Sequence, residues 1–106
     1  MTSKAKRKYE SMCEYFDQDI LDNPAFDDML KQYAGMVIEA NDLQTFIDKE
    51  GHAYLHTSDK GNQMWKVYPQ SLALGKLRGQ MNVVLKTLLK YSIDGEEVDA
   101  DENLIA

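Results

Sequence analysis

Cysteine is almost absent from the sequence, with Cys13 the only one among 106 residues. A single cysteine excludes an intramolecular disulfide, and a chain without disulfides is typical of a reducing compartment. A catalytic thiol needs a histidine base and an orienting group beside it, whereas the nearby Met12 and Phe16 are apolar. We therefore expect Cys13 to be a buried structural residue.

Long apolar stretches are missing as well. No segment approaches the roughly 20 apolar residues that a membrane-spanning helix requires. The basic residues at the N-terminus have no apolar stretch behind them, so they do not form the pattern of a signal peptide. We therefore expect the protein to work in a cytoplasm, without a membrane.

The sequence also lacks the motifs of catalysis. It contains no glycine-rich phosphate loop, no nucleophile elbow and no zinc-binding pattern. His52 and His56 are four residues apart, but strand residues at that spacing lie about 13 Å apart. The aspartates of residues 17–28 lack the glycine and terminal glutamate of a calcium loop. We predict no catalytic residues, no metal and no cofactor, and hence a binding protein rather than an enzyme.

Charge is segregated along the chain, although the net charge of −6 hides this. Residues 1–9 carry four bases and no acid, whereas residues 10–50 carry eleven acids and two bases. Residues 66–93 carry five bases and no acid, and the last thirteen residues carry six acids and no base. This distribution indicates more than one charged partner, or one segment that screens another.

Apolar periodicity predicts a mostly α fold of three to four helices, with one short β-hairpin before the last long helix. A first helix is expected over residues 4–21. Asn23 and Pro24 can begin the next helix, which keeps its apolar period to Glu50 before Gly51 ends it. Two helices with a kink near residue 41 remain an alternative.

Residues 52–68 consist of two short aromatic and β-branched runs around the turn at 58–62, which contains Gly61. This pattern predicts a β-hairpin, and because an isolated hairpin is marginal in water it must pack on helices or on another subunit. Pro69 begins the last helix. The chain thus divides into a basic arm with the first helix (1–21), a helical core (22–93) and an acidic tail (94–106) that we expect to be disordered.

Basic residues carry the strongest functional signal. Those at the N-terminus and on one side of the last helix can neutralise phosphates without reading bases. The predicted DNA-binding residues are Lys4, Lys6, Arg7, Lys8, Lys76, Lys86 and Lys90. An ordinary solvated surface explains such residues equally well on composition alone.

Self-association is also expected, because a domain of this size leaves much of its apolar surface uncovered. Gly75 and Gly79 lie off the apolar stripe of the last helix and are small enough for two backbones to approach. We predict a heterologous, ring-closing contact between subunits. Its residues are Trp65, Leu72, Gly75 and Gly79.

The order of these elements resembles the small terminase subunits of tailed phages, over about residues 22–91. The resemblance rests on Leu-Lys-Gln-Tyr-Ala at 30–34, on the helix end Phe-Ile-Asp-Lys-Glu-Gly at 46–51, and on Tyr68-Pro69 before a leucine-rich helix. Relatives often continue after that helix with a segment similar to Leu-Gly-Leu-Thr-Pro. This chain departs from them there, with Tyr-Ser-Ile-Asp-Gly at 91–95.

The resemblance implies a homo-oligomeric ring in the cytoplasm of a bacterial host. Such a protein binds viral double-stranded DNA and regulates a separate large terminase subunit during genome packaging. Two other classes stay open. A dimeric DNA-binding regulator would show compact helix-turn-helix spacing, and a small acidic phage adaptor or inhibitor would bind a protein partner and no DNA.

Overall fold

The computed structural model describes residues 1–92, which form four helices and one two-stranded antiparallel sheet. In chain order these are α1 (Ser3–Cys13), α2 (Gln18–Leu21), α3 (Pro24–Glu50), β1 (Ala53–Thr57), β2 (Gln63–Val67) and α4 (Pro69–Leu89). The predicted fold class, mostly α with a hairpin before the last long helix, is confirmed. The tail predicted at 94–106 lies outside the described residues.

The ends of α3 are fixed by the residues that the sequence predicts. The side chain of Asn23 accepts hydrogen bonds from the backbone N–H groups of Ala25 at 3.0 Å and Phe26 at 3.4 Å, and Pro24 occupies the first turn. Gly51 follows Glu50 with φ of 81°, a conformation that residues other than glycine rarely adopt. The helix therefore runs without a break from Pro24 to Glu50, as the main prediction has it.

The first helix is shorter than predicted. It ends at Cys13, and the chain turns through residues 14–17 before the four-residue α2. The turn buries Phe16, whose ring meets Phe26 edge-on with 5.0 Å between centroids. Apolar spacing did not reveal the break, because two helices joined by a turn can keep the same face buried. Thr2 caps α1 by accepting a hydrogen bond from the Ala5 N–H at 3.2 Å.

The core lies between α3 and α4, which run antiparallel. Near the hairpin, Arg78 Nη2 on α4 donates to Gln44 Oε1 on α3 at 2.6 Å. At the other end, Phe26 meets Tyr91 edge-on at 5.6 Å. Leu30 and Leu88 are the largest side chains with essentially no exposure, and burial of a leucine contributes about 2 kcal/mol relative to an exposed one.

The molecule is elongated, with principal extents of 64 × 29 × 21 Å and a radius of gyration of 17.8 Å. A compact chain of this length has a radius of gyration of about 12 to 13 Å. A long, thin shape covers less apolar surface than a compact one. The shape therefore leaves hydrophobic side chains on the outside, and several of them belong to the hairpin and α4.

A polar contact fastens α1 to α3. The hydroxyl of Tyr9 donates a hydrogen bond to the carboxylate of Asp27, which also receives Lys31 Nζ at 2.8 Å. Lys31 Nζ lies 5.4 Å from the centre of the Tyr9 ring, within cation–π range. The hydrogen bond from Lys31, followed by that from Tyr9, lowers the pKa of Asp27. The hydrogen bond to Asp27 raises the pKa of Tyr9.

We expect Tyr9→Phe to lower the free energy of unfolding by about 1 kcal/mol at neutral pH, because one partly exposed hydrogen bond is lost. The stabilisation from a lowered aspartate pKa is present above about pH 4 and is lost as pH falls through the folded-state pKa. The difference between wild type and variant should therefore shrink in acid. Urea unfolding at a series of pH values measures it, with Tyr15→Phe as the exposed control. A difference that persists when Asp27 is protonated would contradict the role of its carboxylate.

Candidate nucleic-acid and subunit interface

The basic residues of the predicted arm lie on a helix. Lys4, Lys6 and Arg7 are exposed on the first two turns of α1, and Lys8 is half-buried. At about 100° per residue, Lys4, Arg7 and Lys8 share one side of α1 and Lys6 lies beside them. The side of Ala5 is buried against the rest of the molecule. The N-terminal cluster is therefore presented by a docked helix, and its phosphate contacts remain a prediction.

Three lysines share the outer side of α4. Lys76, Lys86 and Lys90 are exposed and lie opposite the buried stripe that contains Leu77 and Leu88. The sole ion pair within residues 1–92 joins α3 residues, so these lysines have no acidic partner in that part of the chain. Since α4 contains no acid, its outer side has the charge that a phosphate backbone attracts.

Hydrophobic residues interrupt this basic surface. Leu72 is 67% exposed and Val83 69% exposed, and both lie in line with the lysines at helical spacing. We call Leu72, Lys76, Gly79, Val83, Lys86 and Lys90 the outer face of α4. Sequence inspection identified Leu72 but missed Val83. Val83 lies eleven residues after Leu72, which is about three helical turns, and this spacing could have identified it.

The hairpin has one covered side and one open side. On the covered side, the Tyr54 ring lies 4.9 Å from that of Tyr68, and Tyr68 meets Phe46 of α3 edge-on at 5.2 Å. On the open side, Leu55 of β1 pairs with Trp65 of β2, and Trp65 is 71% exposed. The hairpin thus packs on the helices through its tyrosine and presents its tryptophan outward.

We call Leu55, Trp65 and Val67 the open face of the hairpin; all three are exposed and alternate along the strands. The sequence predicted Trp65 as an interface residue but not the two aliphatic side chains beside it. Which side of a hairpin packs on the helices depends on tertiary contacts. Local alternation therefore did not identify the full patch.

The glycines of α4 are not used for packing within the chain. A methyl group added at Gly75 or at Gly79 would find no atom within 4 Å. Both residues are exposed. The space beside them is therefore open to a neighbouring molecule, and their role in a subunit contact stays a prediction.

Two of the other polar side chains that could bind a metal or a proton contact residues on neighbouring helices. His52 lies just before β1, and its Nδ1 is 2.7 Å from Ser71 Oγ on α4, whereas His56 lies within β1. Asp27 is held by Tyr9 and Lys31. Across residues 1–92, no three His, Cys, Asp or Glu side chains lie close enough together to hold a metal ion.

A shallow groove of about 380 Å³ lies between Phe26, Met29 and Tyr91. Asp19 is the one carboxylate among its lining residues, so the groove does not supply a pair of acid–base groups. In the same described part of the chain, no helix combines the length and apolarity needed to cross a bilayer.

Comparison with known proteins adds no family to these observations: no family model, no curated protein and no solved structure matches the chain.

Proposed function

We propose that the chain is the small terminase subunit of a tailed phage. In this role it forms a homo-oligomeric ring in the cytoplasm of the bacterial host and binds viral double-stranded DNA. It acts without a cofactor of its own and regulates the ATPase and nuclease of a separate large terminase subunit. The resemblance in sequence supplies the family, and the surfaces of the molecule support its two binding activities.

The observation that carries the proposal is that two unlike surfaces lie open on one small domain. The outer face of α4 holds three exposed lysines with no ion pair among residues 1–92, and the hairpin exposes Trp65. Exposed lysines without acids nearby favour phosphate contacts, whereas an exposed tryptophan beside aliphatic residues favours a protein contact. A DNA-binding oligomer uses both.

DNA binding is tested with the triple variant Lys76→Gln, Lys86→Gln and Lys90→Gln. Each lost phosphate contact reduces the slope of log K against log salt by about 0.9 on duplex DNA. We therefore expect the slope to fall by about 2.7 if all three lysines contact phosphates. Fluorescence anisotropy with a labelled duplex at several salt concentrations measures this change.

The matched control removes the same charge elsewhere, with Lys49→Gln, Lys60→Gln and Lys66→Gln, which are also exposed. Its slope should stay close to that of the wild type. Equal slopes for both triple variants would indicate nonspecific attraction and would remove α4 from the interface. The contribution of α1 is better tested with Lys4→Gln, Lys6→Gln and Arg7→Gln than by deletion, because Ala5 is buried.

The acidic adaptor is the second candidate, and the exposure of the acids favours it. Of the eleven acids in residues 10–50, all but Asp27 are exposed, so a basic protein partner has a broad surface to bind. The dimeric regulator is less supported, because the four-residue α2 is too short for the first helix of a helix-turn-helix. Titration of the cognate large subunit distinguishes the first two: a terminase subunit changes its ATPase or nuclease rate, and an adaptor does not.

A further inference from the structure

The outer face of α4 combines positive charge with exposed hydrophobic residues. Its three lysines extend from Lys76 to Lys90, a distance of about 21 Å at the helical rise, and Leu72 and Val83 lie among them. Since α4 contains no acid, the helix itself offers these lysines no counter-charge. The face therefore matches an extended ligand that carries several acids and a few apolar side chains.

We infer that residues 93–106 of the same chain dock along the outer face of α4. Their sequence contains six acids, no base and an apolar end, Leu104-Ile105. The charge is thus complementary to the three lysines, and the apolar residues can contact Leu72 or Val83.

The point of attachment makes this docking geometrically simple. The segment begins directly after Ser92, three residues beyond the end of α4. Asp94-Gly95 is a dipeptide that favours a turn, and a reversal there would direct the following residues back along the helix. Extended, residues 96–102 span about 20 Å, which is close to the distance from Lys90 to Lys76.

Tethering makes a weak contact sufficient. A flexible connection of a few residues gives an effective concentration in the millimolar range, so several weak, exposed ion pairs can hold the segment. These pairs are screened by salt. The docked segment occupies the lysines assigned to DNA and so competes with phosphates, but its presence on α4 does not depend on DNA binding.

Carbodiimide cross-linking of the full chain tests the inference without DNA. The reagent joins a lysine amine to a carboxylate in contact with it, and mass spectrometry maps the linked residues. We expect cross-links from Lys76 and Lys86 to residues 96–102, several-fold more abundant than those from the exposed control Lys66. In about 1 M salt, where the Debye length is about 3 Å, they should be lost. Equal yields at Lys66 and Lys76 would overturn the docking.

Mixing isotopically labelled and unlabelled chains establishes which chain supplies the segment. Links within one label support docking on the same chain, and predominantly mixed links contradict it. A variant with the six acids of residues 93–106 changed to amides should lose the cross-links and bind duplex DNA several-fold more tightly than the wild type. If cross-links form but neither protein binds DNA, the docking stands and the proposed function fails.

Discussion

If the chain forms the proposed ring, replacing Trp65 with serine should separate it into single chains of 12.1 kDa. Trp65 is the most exposed hydrophobic residue of β1 and β2, at 71%, and Leu55 and Val67 extend the same open face. Tryptophans in such positions commonly contribute 2 kcal/mol or more to a protein interface. A loss of about 3 kcal/mol weakens each contact more than a hundredfold, which is enough to separate the subunits at micromolar concentration.

Light scattering at several protein concentrations measures this change in mass. Tyr15→Ser is the matched control, because Tyr15 is 58% exposed but follows α1, far along the chain from the hairpin. It should leave the mass unchanged. A wild-type protein that is monomeric at micromolar concentration would remove the ring from the proposal, and a strict dimer would favour the regulator.

The glycines of α4 give a companion test of the same interface. Within one chain, a methyl group at Gly75 or Gly79 meets no atom, and alanine is the better helix former by about 1 kcal/mol. The double variant to alanine should therefore raise the stability of the single chain. If a neighbouring backbone approaches these glycines, the same variant should lower the mass of the assembly. Higher stability with an unchanged mass would exclude them from the contact.

Leu30→Ala should lower the free energy of unfolding by about 3 kcal/mol, since Leu30 has 0% exposure in the centre of the core. The loss combines the transfer of the removed carbon atoms with the cavity they leave. Domains of this size are stable by only about 5 to 15 kcal/mol, so the variant loses a large fraction of its stability. Urea unfolding monitored by circular dichroism, extrapolated to zero denaturant, measures the free energy.

Leu72→Ala is the matched substitution at the surface, because Leu72 is 67% exposed. In the single chain it should change the free energy of unfolding by a few tenths of a kcal/mol at most. A larger loss that diminishes on dilution comes from a contact between subunits, whereas one that persists on dilution comes from a contact within the chain. The loss for Leu30→Ala should not depend on protein concentration. Equal losses for both variants would contradict the placement of Leu30 in the core.

The helix ends were predictable because their signals are local. Asn23, Pro24 and Gly51 act within one turn of the positions that they define, and Gly61 takes the positive φ that its turn requires. The break after Cys13 was not predictable in this way. It accompanies the packing of Phe16, in the turn after α1, on Phe26 of α3, a contact that exists only once the chain has folded.

In the candidate site, too, some features follow from local sequence and others depend on long-range contacts. Helical periodicity is enough to place Lys76, Lys86 and Lys90 on one side of α4, and the structure has them there. The contact of Tyr9 with Asp27 spans eighteen residues and has no local signal. The exposure of Leu55 and Val67 on the open face depends on which side of the hairpin packs against Tyr68. Long-range contacts of this kind are set by the packed fold rather than by any one segment.

The elongation of the chain affects how its size appears in solution. A radius of gyration of 17.8 Å is that of a compact protein of about 240 residues, more than twice the 106 residues present. A single chain should therefore elute from a gel-filtration column earlier than a compact protein of 12.1 kDa. Elution volume alone would overstate its mass, and sedimentation would show the difference as a raised frictional ratio.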